Sequence, residues 1–141
     1  MPELMRSMVA RMRVYFGNRR RARRYRGSLD FSVSIFDPKL SRKQLEHAPY
    51  VEGTTSDLST SGLGLTVPAI RINERYLTAT DQLLHLMLKL PSGQVEIRVS
   101  PVRYEQLERE GTATGYLIGV HIAGMSDEDR ARFEDYLSKL S

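Results

Sequence analysis

At 141 residues, with 40% hydrophobic and 27% charged side chains, the chain suits one globular domain with its own core and is short for two. It has no cysteine, which excludes disulfides, thiolate metal sites and cysteine nucleophiles and fits a cytosolic protein; no apolar stretch nears the ~20 residues of a membrane span, and the N-terminus lacks the apolar core of a secretory signal. The net charge of +4 is unevenly spread: residues 1–26 hold nine arginines against Glu3 alone (+8), whereas the remainder holds 12 basic and 16 acidic groups (−4).

Residues 2–16 read as a helix, because Leu4, Met5, Met8, Val9, Met12, Tyr15 and Phe16 recur at spacings of three and four while Arg6, Arg11 and Arg13 fall mostly off that stripe. Pro2 and Glu3 suit its first turn and Gly17-Asn18 its end. The chain thus divides into an amphipathic basic helix at 1–17 and a domain at 18–141. The helix is expected to pack on its own domain or on a second copy; a membrane surface or another protein is the less favoured partner.

From residue 28 the period changes to two. Leu29, Phe31, Val33 and Ile35 alternate with polar residues as a half-buried strand, ended by Asp37-Pro38. Residues 38–48 form a polar connection or a short helical turn, and Tyr50–Thr55 a second strand running on toward Asp57. Leu63, Leu65 and Val67 alternate as a third, stopped by Pro68, and 69–82 is irregular. Leu84–Leu90, the turn Pro91-Ser92-Gly93 and the alternation from Val95 to Tyr104 make the clearest hairpin. Residues 105–113 read as a polar connection, Tyr116–Ile122 as the last strand, and Ser126 as the N-cap of a helix with Phe133, Tyr136, Leu137 and Leu140 on one face. Six strands and one terminal helix imply a mainly β fold, a small antiparallel barrel with a helix packed on it.

Catalytic patterns are missing. His47, His85 and His121 are widely separated, with no metal-binding spacing, and His85 and His121 lie on predicted strands, where structural or solvent-facing roles are expected. There is no phosphate-binding loop of the Walker or dinucleotide type and no G-x-S-x-G elbow around Ser59. Asp127, Glu128 and Asp129 read as helix-start residues rather than a metal cluster. No enzyme, metal or cofactor is expected.

Two other segments carry the chemistry. The first is the cluster Arg19-Arg20-Arg21-Ala22-Arg23-Arg24-Tyr25-Arg26. Arginine forks bind phosphate oxygens and guanine acceptors and stack on purines, although a solvated basic linker or a nonspecific nucleic-acid patch has the same composition. The second is Asp57-Leu58-Ser59-Thr60-Ser61-Gly62, followed by Leu63-Gly64. A carboxylate can accept from the N1–H and amino group of guanine, Ser59 would face the same way on an extended backbone, and Gly62 permits an unusual turn or close approach; an Asx or Ser turn between strands is the plainer alternative.

In this order the two segments resemble the PilZ domain, whose signature is R-x-x-x-R before the first barrel strand and [DN]-x-S-x-x-G leading into a later one. Asp57, Ser59 and Gly62 match the second motif; Arg19/Arg23 and Arg20/Arg24 both match the first, and Arg20-Arg21-x-x-Arg24 is the preferred register. Leu86-x-Leu88-x-Leu90-Pro91-x-Gly93, Val102-Arg103-Tyr104 and Ile118-Gly119-Val120-x-Ile122 extend the likeness over roughly 19–140, with a longer loop at 37–49. The resemblance implies a six-stranded split barrel with a C-terminal helix, the N-terminal helix being extra.

It also implies a bacterial cytoplasmic receptor for the second messenger cyclic di-GMP, with Arg19, Arg20, Arg21, Arg24, Asp57, Ser59, Gly62 and Gly64 as ligand-binding residues. An arginine just before the first motif, here Arg19, implies two stacked nucleotides. Binding is expected to order Arg19–Arg26, which is held apart by its own repulsion without ligand, and so to move the N-terminal helix toward a downstream protein partner. A PilZ-fold interaction module that binds no nucleotide is the second reading, and a basic-arm nucleic-acid binder the third.

Overall fold

The computed structural model describes residues 24–79 and 81–140, so the expected helix at 2–16 and the arginines before Arg24 lie outside the described residues. The chain order is β1 (Tyr25–Arg26), β2 (Asp30–Ile35), α1 (Arg42–Glu46), β3 (Val51–Leu58), β4 (Gly62–Val67), β5 (Arg71–Ile72), β6 (Arg75–Tyr76), β7 (Leu84–Leu90), β8 (Gly93–Arg109), β9 (Thr112–Met125) and α2 (Asp127–Ser138). All pairings are antiparallel. The order β3-β2-β7-β8-β9-β4 closes on itself through β3–β4, giving a six-stranded barrel with β1 paired to the far end of β3.

The alternation read from the sequence sorts side chains to the two faces. Phe31, Val33, Leu58, Leu63, Leu65, Val67, Leu84, Leu86, Leu88, Val95, Ile97, Val99, Ile118 and Val120 are buried in one core, the apolar burial that drives the fold. From α2, Phe133 and Leu137 join this core, while Tyr136 is partly buried and Leu140 is exposed. Ser126 Oγ accepts from the Asp129 N–H at 3.1 Å, the expected cap. Asp129 also does what helix-start chemistry does not require: its Oδ2 accepts from the Glu96 N–H at 3.0 Å, and with the Arg132 guanidinium donating to Gln94 O at 2.7 Å it ties α2 to β8.

Two expectations change. The polar stretch 105–113 is no loose connection: β8 continues to Arg109 and β9 starts at Thr112. Glu110 at φ 54° and Gly111 at φ 78° make the tight turn, the pair of left-handed residues that a two-residue hairpin demands. Polarity misled because this end of the hairpin extends into solvent, with 108–114 exposed on both strands. The irregular stretch 69–82 contains the small β5–β6 hairpin, with Asn73 in the left-handed region at φ 57°. The polar connection at 38–48 takes its helical alternative as α1, with a capping box between Ser41 and Gln44.

Candidate functional site

A register shift in β3 aims the second motif outward. Thr55 pairs with Leu65 and is buried, and on a regular strand Asp57 would point inward with it. The shift between Thr55 and Asp57 inserts Ser56 as an extra residue, so Asp57 pairs with Gly64 and lies outside the barrel while Leu58 returns to the core. A carboxylate facing inward would have cost several kcal/mol of desolvation; the bulge avoids that cost.

Gly64 makes room for the carboxylate. A Cβ there would collide with Asp57 Oδ1 and Ser56 Oγ, so only the missing side chain lets the Asp57 side chain lie back across β4. Gly62 serves packing between strands: a Cβ would sit 2.6 Å from the Val120 carbonyl oxygen on β9. Its φ is not among the positive values of the described residues, so close strand approach, rather than an unusual turn, is what requires glycine.

Ser59 differs from the expectation of a hydroxyl facing the same way as Asp57. The strand stops at Leu58, and Ser59 opens the turn into β4 with 1% of its surface exposed. Its hydroxyl donates to Gly62 O at 3.1 Å and accepts from the N–H groups of Gly62 and Ser61 at 3.0 and 3.3 Å, while the Ser59 N–H bonds Gly62 O at 2.9 Å. The D-x-S-x-x-G spacing therefore describes one hairpin end, in which serine satisfies the backbone of the turn that holds aspartate in place.

The first motif reaches the second through β1. Tyr25 pairs with Leu58 and Arg26 with Asp57, and the Arg24 guanidinium donates to Asp57 Oδ2 at 2.6 Å, with side chains 20% and 31% exposed. This is a short charge-assisted contact. The structure thus brings together Arg24, Asp57, Gly64 and, beneath them, Ser59 and Gly62; Arg19, Arg20 and Arg21 lie outside the described residues.

Sequence reasoning missed Thr55. Its Oγ1 accepts from the Leu29 N–H at 2.8 Å and donates to Gly27 O at 2.5 Å. It thereby pins the break between β1 and β2 to β3 and fixes where Arg24 and Arg26 fall. Nothing in the local string Thr54-Thr55-Ser56 marks it, because the partners are 26 and 28 residues away.

The other polar groups stand apart. His85 is 7% exposed, with Nε2 3.2 Å from Glu96 Oε1, which leaves the structural rather than the solvent-facing of its two expected roles. It borders a cavity of about 400 Å³ between α1 and the outer face of β2, β7 and β8. Among the described residues no group of three or more His, Asp or Glu could hold a metal, and no helix is long and apolar enough to cross a membrane.

Comparison with solved structures finds the same architecture. The chain aligns over 86% of its length with the PilZ domain with c-di-GMP of YcgR from Escherichia coli, at 12% identity, 91% coverage of that chain and a TM-score of 0.61. It aligns equally far with MrkH of K. pneumonia in its c-di-GMP complex (21% identity, 52% of that chain, TM-score 0.61) and with the Bacillus subtilis inhibitor of motility MotI/DgrA (12%, 50%, 0.57). It spans about half the length of these last two. A search of curated proteins finds no match. The family model for the PilZ domain matches residues 18–139, nearly the whole chain and both motifs, and the chain belongs to the PilZ domain family.

Proposed function

We propose that the chain is a cyclic di-GMP receptor, acting by binding rather than by catalysis and working in the bacterial cytoplasm. The observation that carries this reading is the 2.6 Å contact between Arg24 and Asp57: residues 33 apart in sequence, each from one half of the family signature, meet on an outward-facing patch. The YcgR domain and MrkH, whose structures are described with c-di-GMP, share the fold that makes this meeting possible.

The chemistry suits the ligand. Asp57 uses Oδ2 for Arg24, and Oδ1 has a long 3.4 Å contact with Ser56 Oγ, so the carboxylate keeps acceptor capacity for the N–H edge of guanine. Arg24 places a planar guanidinium suited to phosphate oxygens beside Asp57, with Arg19, Arg20 and Arg21 completing the cluster. Ser59 and Gly62 act through the turn, and Gly64 by leaving space. The ordering mechanism narrows accordingly: Arg24 is held on Asp57 already, so ligand binding orders the arginines before it. That movement carries the signal to a downstream protein partner. With Arg19 ahead of Arg20 and Arg24, two stacked nucleotides bind per chain.

Titration calorimetry tests each part. Wild-type protein binds cyclic di-GMP with two nucleotides per chain, and Arg24→Ala and Arg20→Ala each lose more than tenfold in affinity, the ~1.5–3 kcal/mol of a contact to a charged group. One nucleotide per chain would contradict the stacked pair. Wild-type affinity in both arginine variants would contradict the site.

A further inference from the structure

The hairpin of β8 and β9 outruns the strand beside it. β7 pairs with β8 only from Gly93 to Val99, whereas β8 continues to Arg109 with β9 on its other side. Among the described residues, no strand pairs with the β7 side of β8 beyond Val99. Alternate residues of an antiparallel strand aim their N–H and C=O at the same neighbour. Arg109 and Thr112 flank the two-residue turn and form the hydrogen-bonded pair that closes it. Gln106 and Glu108 fall in the other set, so their backbone groups face the open side, and both residues are exposed. An open edge of this kind is a template for another strand.

The sequence of this edge complements itself in reverse. Laid antiparallel about a two-fold axis through Leu107, it sets Leu107 against Leu107 of a second copy, Gln106 against Glu108, and Glu105 against Arg109. Each unlike pair occurs twice, as two-fold symmetry requires. Shifting the axis to Gln106 would instead oppose Arg103 to Arg109, two like charges, so charge selects the register centred on Leu107.

Glu105, Leu107 and Arg109 share one face of β8, and the chain itself does not satisfy them. Opposite them on β9 stand Leu117, Gly115 and Thr112, so neither charge meets a counter-charge and Leu107 meets a residue without a side chain. Neither Glu105 nor Arg109 has an ion-pair partner among the described residues. Four positions apart on an extended strand, roughly 13 Å, they cannot pair with each other.

We propose that this edge is a docking surface for a second copy of the chain, whose β8 adds antiparallel across Glu105–Arg109 and joins two barrels through a continuous sheet. Backbone bonds between Gln106 and Glu108 hold the strands together, and the two Glu105–Arg109 pairs fix the register. The interface is small, so association is weak and depends on concentration. It does not depend on the nucleotide.

Sedimentation equilibrium of the full chain without nucleotide tests this, using wild type, Glu105→Arg and Arg109→Glu. Wild type is expected to dimerise reversibly as its concentration rises toward the millimolar range. Each variant opposes like charges at both symmetric positions and is expected to dimerise at least tenfold more weakly. Mixed in equal amounts, the two variants face opposite charges at both positions again, and wild-type strength is expected to return. In wild type, amide exchange at Gln106 and Glu108 is expected to slow as concentration rises, a readout that needs no variant. A wild-type chain that stays monomeric at millimolar concentration, or amides that exchange at one rate throughout, overturns the proposal. So does a single variant that associates as wild type does, or a mixture that associates no more strongly than its components.

Discussion

Gly64→Ala separates the geometry of the site from the stability of the barrel. The new Cβ would overlap Asp57 Oδ1 and Ser56 Oγ. The strand cannot move away cheaply, because Gly64 is paired to Asp57 on one side and Gly119 on the other. The least costly response is rotation of the Asp57 side chain, which breaks the 2.6 Å contact with Arg24. With both side chains less than a third exposed, that contact is worth about 1–2 kcal/mol, between a surface pair and a well-buried charged hydrogen bond. Alanine in place of glycine returns roughly 0.5–1 kcal/mol through the unfolded chain. The net loss is therefore about 0–1.5 kcal/mol, a fall in Tm of no more than ~6 °C.

Binding responds differently. Every contact made by a correctly placed Asp57 is lost, so affinity for cyclic di-GMP falls more than tenfold, the equivalent of over 1.4 kcal/mol. Thermal unfolding and calorimetric titration measure the two quantities separately. In an Arg24→Ala background the stability cost of Gly64→Ala should largely vanish, because the contact it breaks is already gone. Undiminished affinity in Gly64→Ala, or a stability cost that persists in full without Arg24, would refute the view that this glycine exists to seat the carboxylate.

Three further outcomes are expected. Ser59→Ala leaves the buried Gly62 N–H without its 3.0 Å acceptor, costing about 1–3 kcal/mol in urea denaturation, and it weakens nucleotide binding by loosening the turn. Thr55→Val keeps the shape but removes both hydroxyl bonds to Gly27 and Leu29; a loss of about 1–3 kcal/mol should be accompanied by faster amide exchange at Tyr25 and Arg26, while exchange in β7 and β8 is unaffected. Phe133→Ala empties a fully buried position under α2 and should cost about 3–5 kcal/mol, detectable as a large drop in the urea midpoint.

Much of the barrel was legible because its strands obey period two with one face apolar. Leu84–Leu90 against Val95–Val99 is the plainest case, and β2, β4 and α2 fall within a residue or two of where alternation and capping placed them. The stretch 105–113 was not legible, because a hairpin end in solvent has no buried face to pattern and its turn is signalled only by Glu110-Gly111. For the site, Asp57, Gly62 and Gly64 could be singled out by residue type, but their roles could not. Which way Asp57 points depends on a bulge at Ser56, and whether Ser59 faces solvent depends on where β3 ends; both are set by pairing with β4. The role of Thr55 exists only through contacts with residues 26 and 28 positions away, and no local window contains them.

Titration of the wild-type chain with cyclic di-GMP, GMP and cyclic di-AMP, alongside Asp57→Ala, tests the central claim most directly. Saturable binding of cyclic di-GMP is expected, with much weaker binding of the other two and at least a tenfold loss in Asp57→Ala. Equal affinity for all three nucleotides, or an Asp57→Ala variant that binds as wild type does, would contradict it.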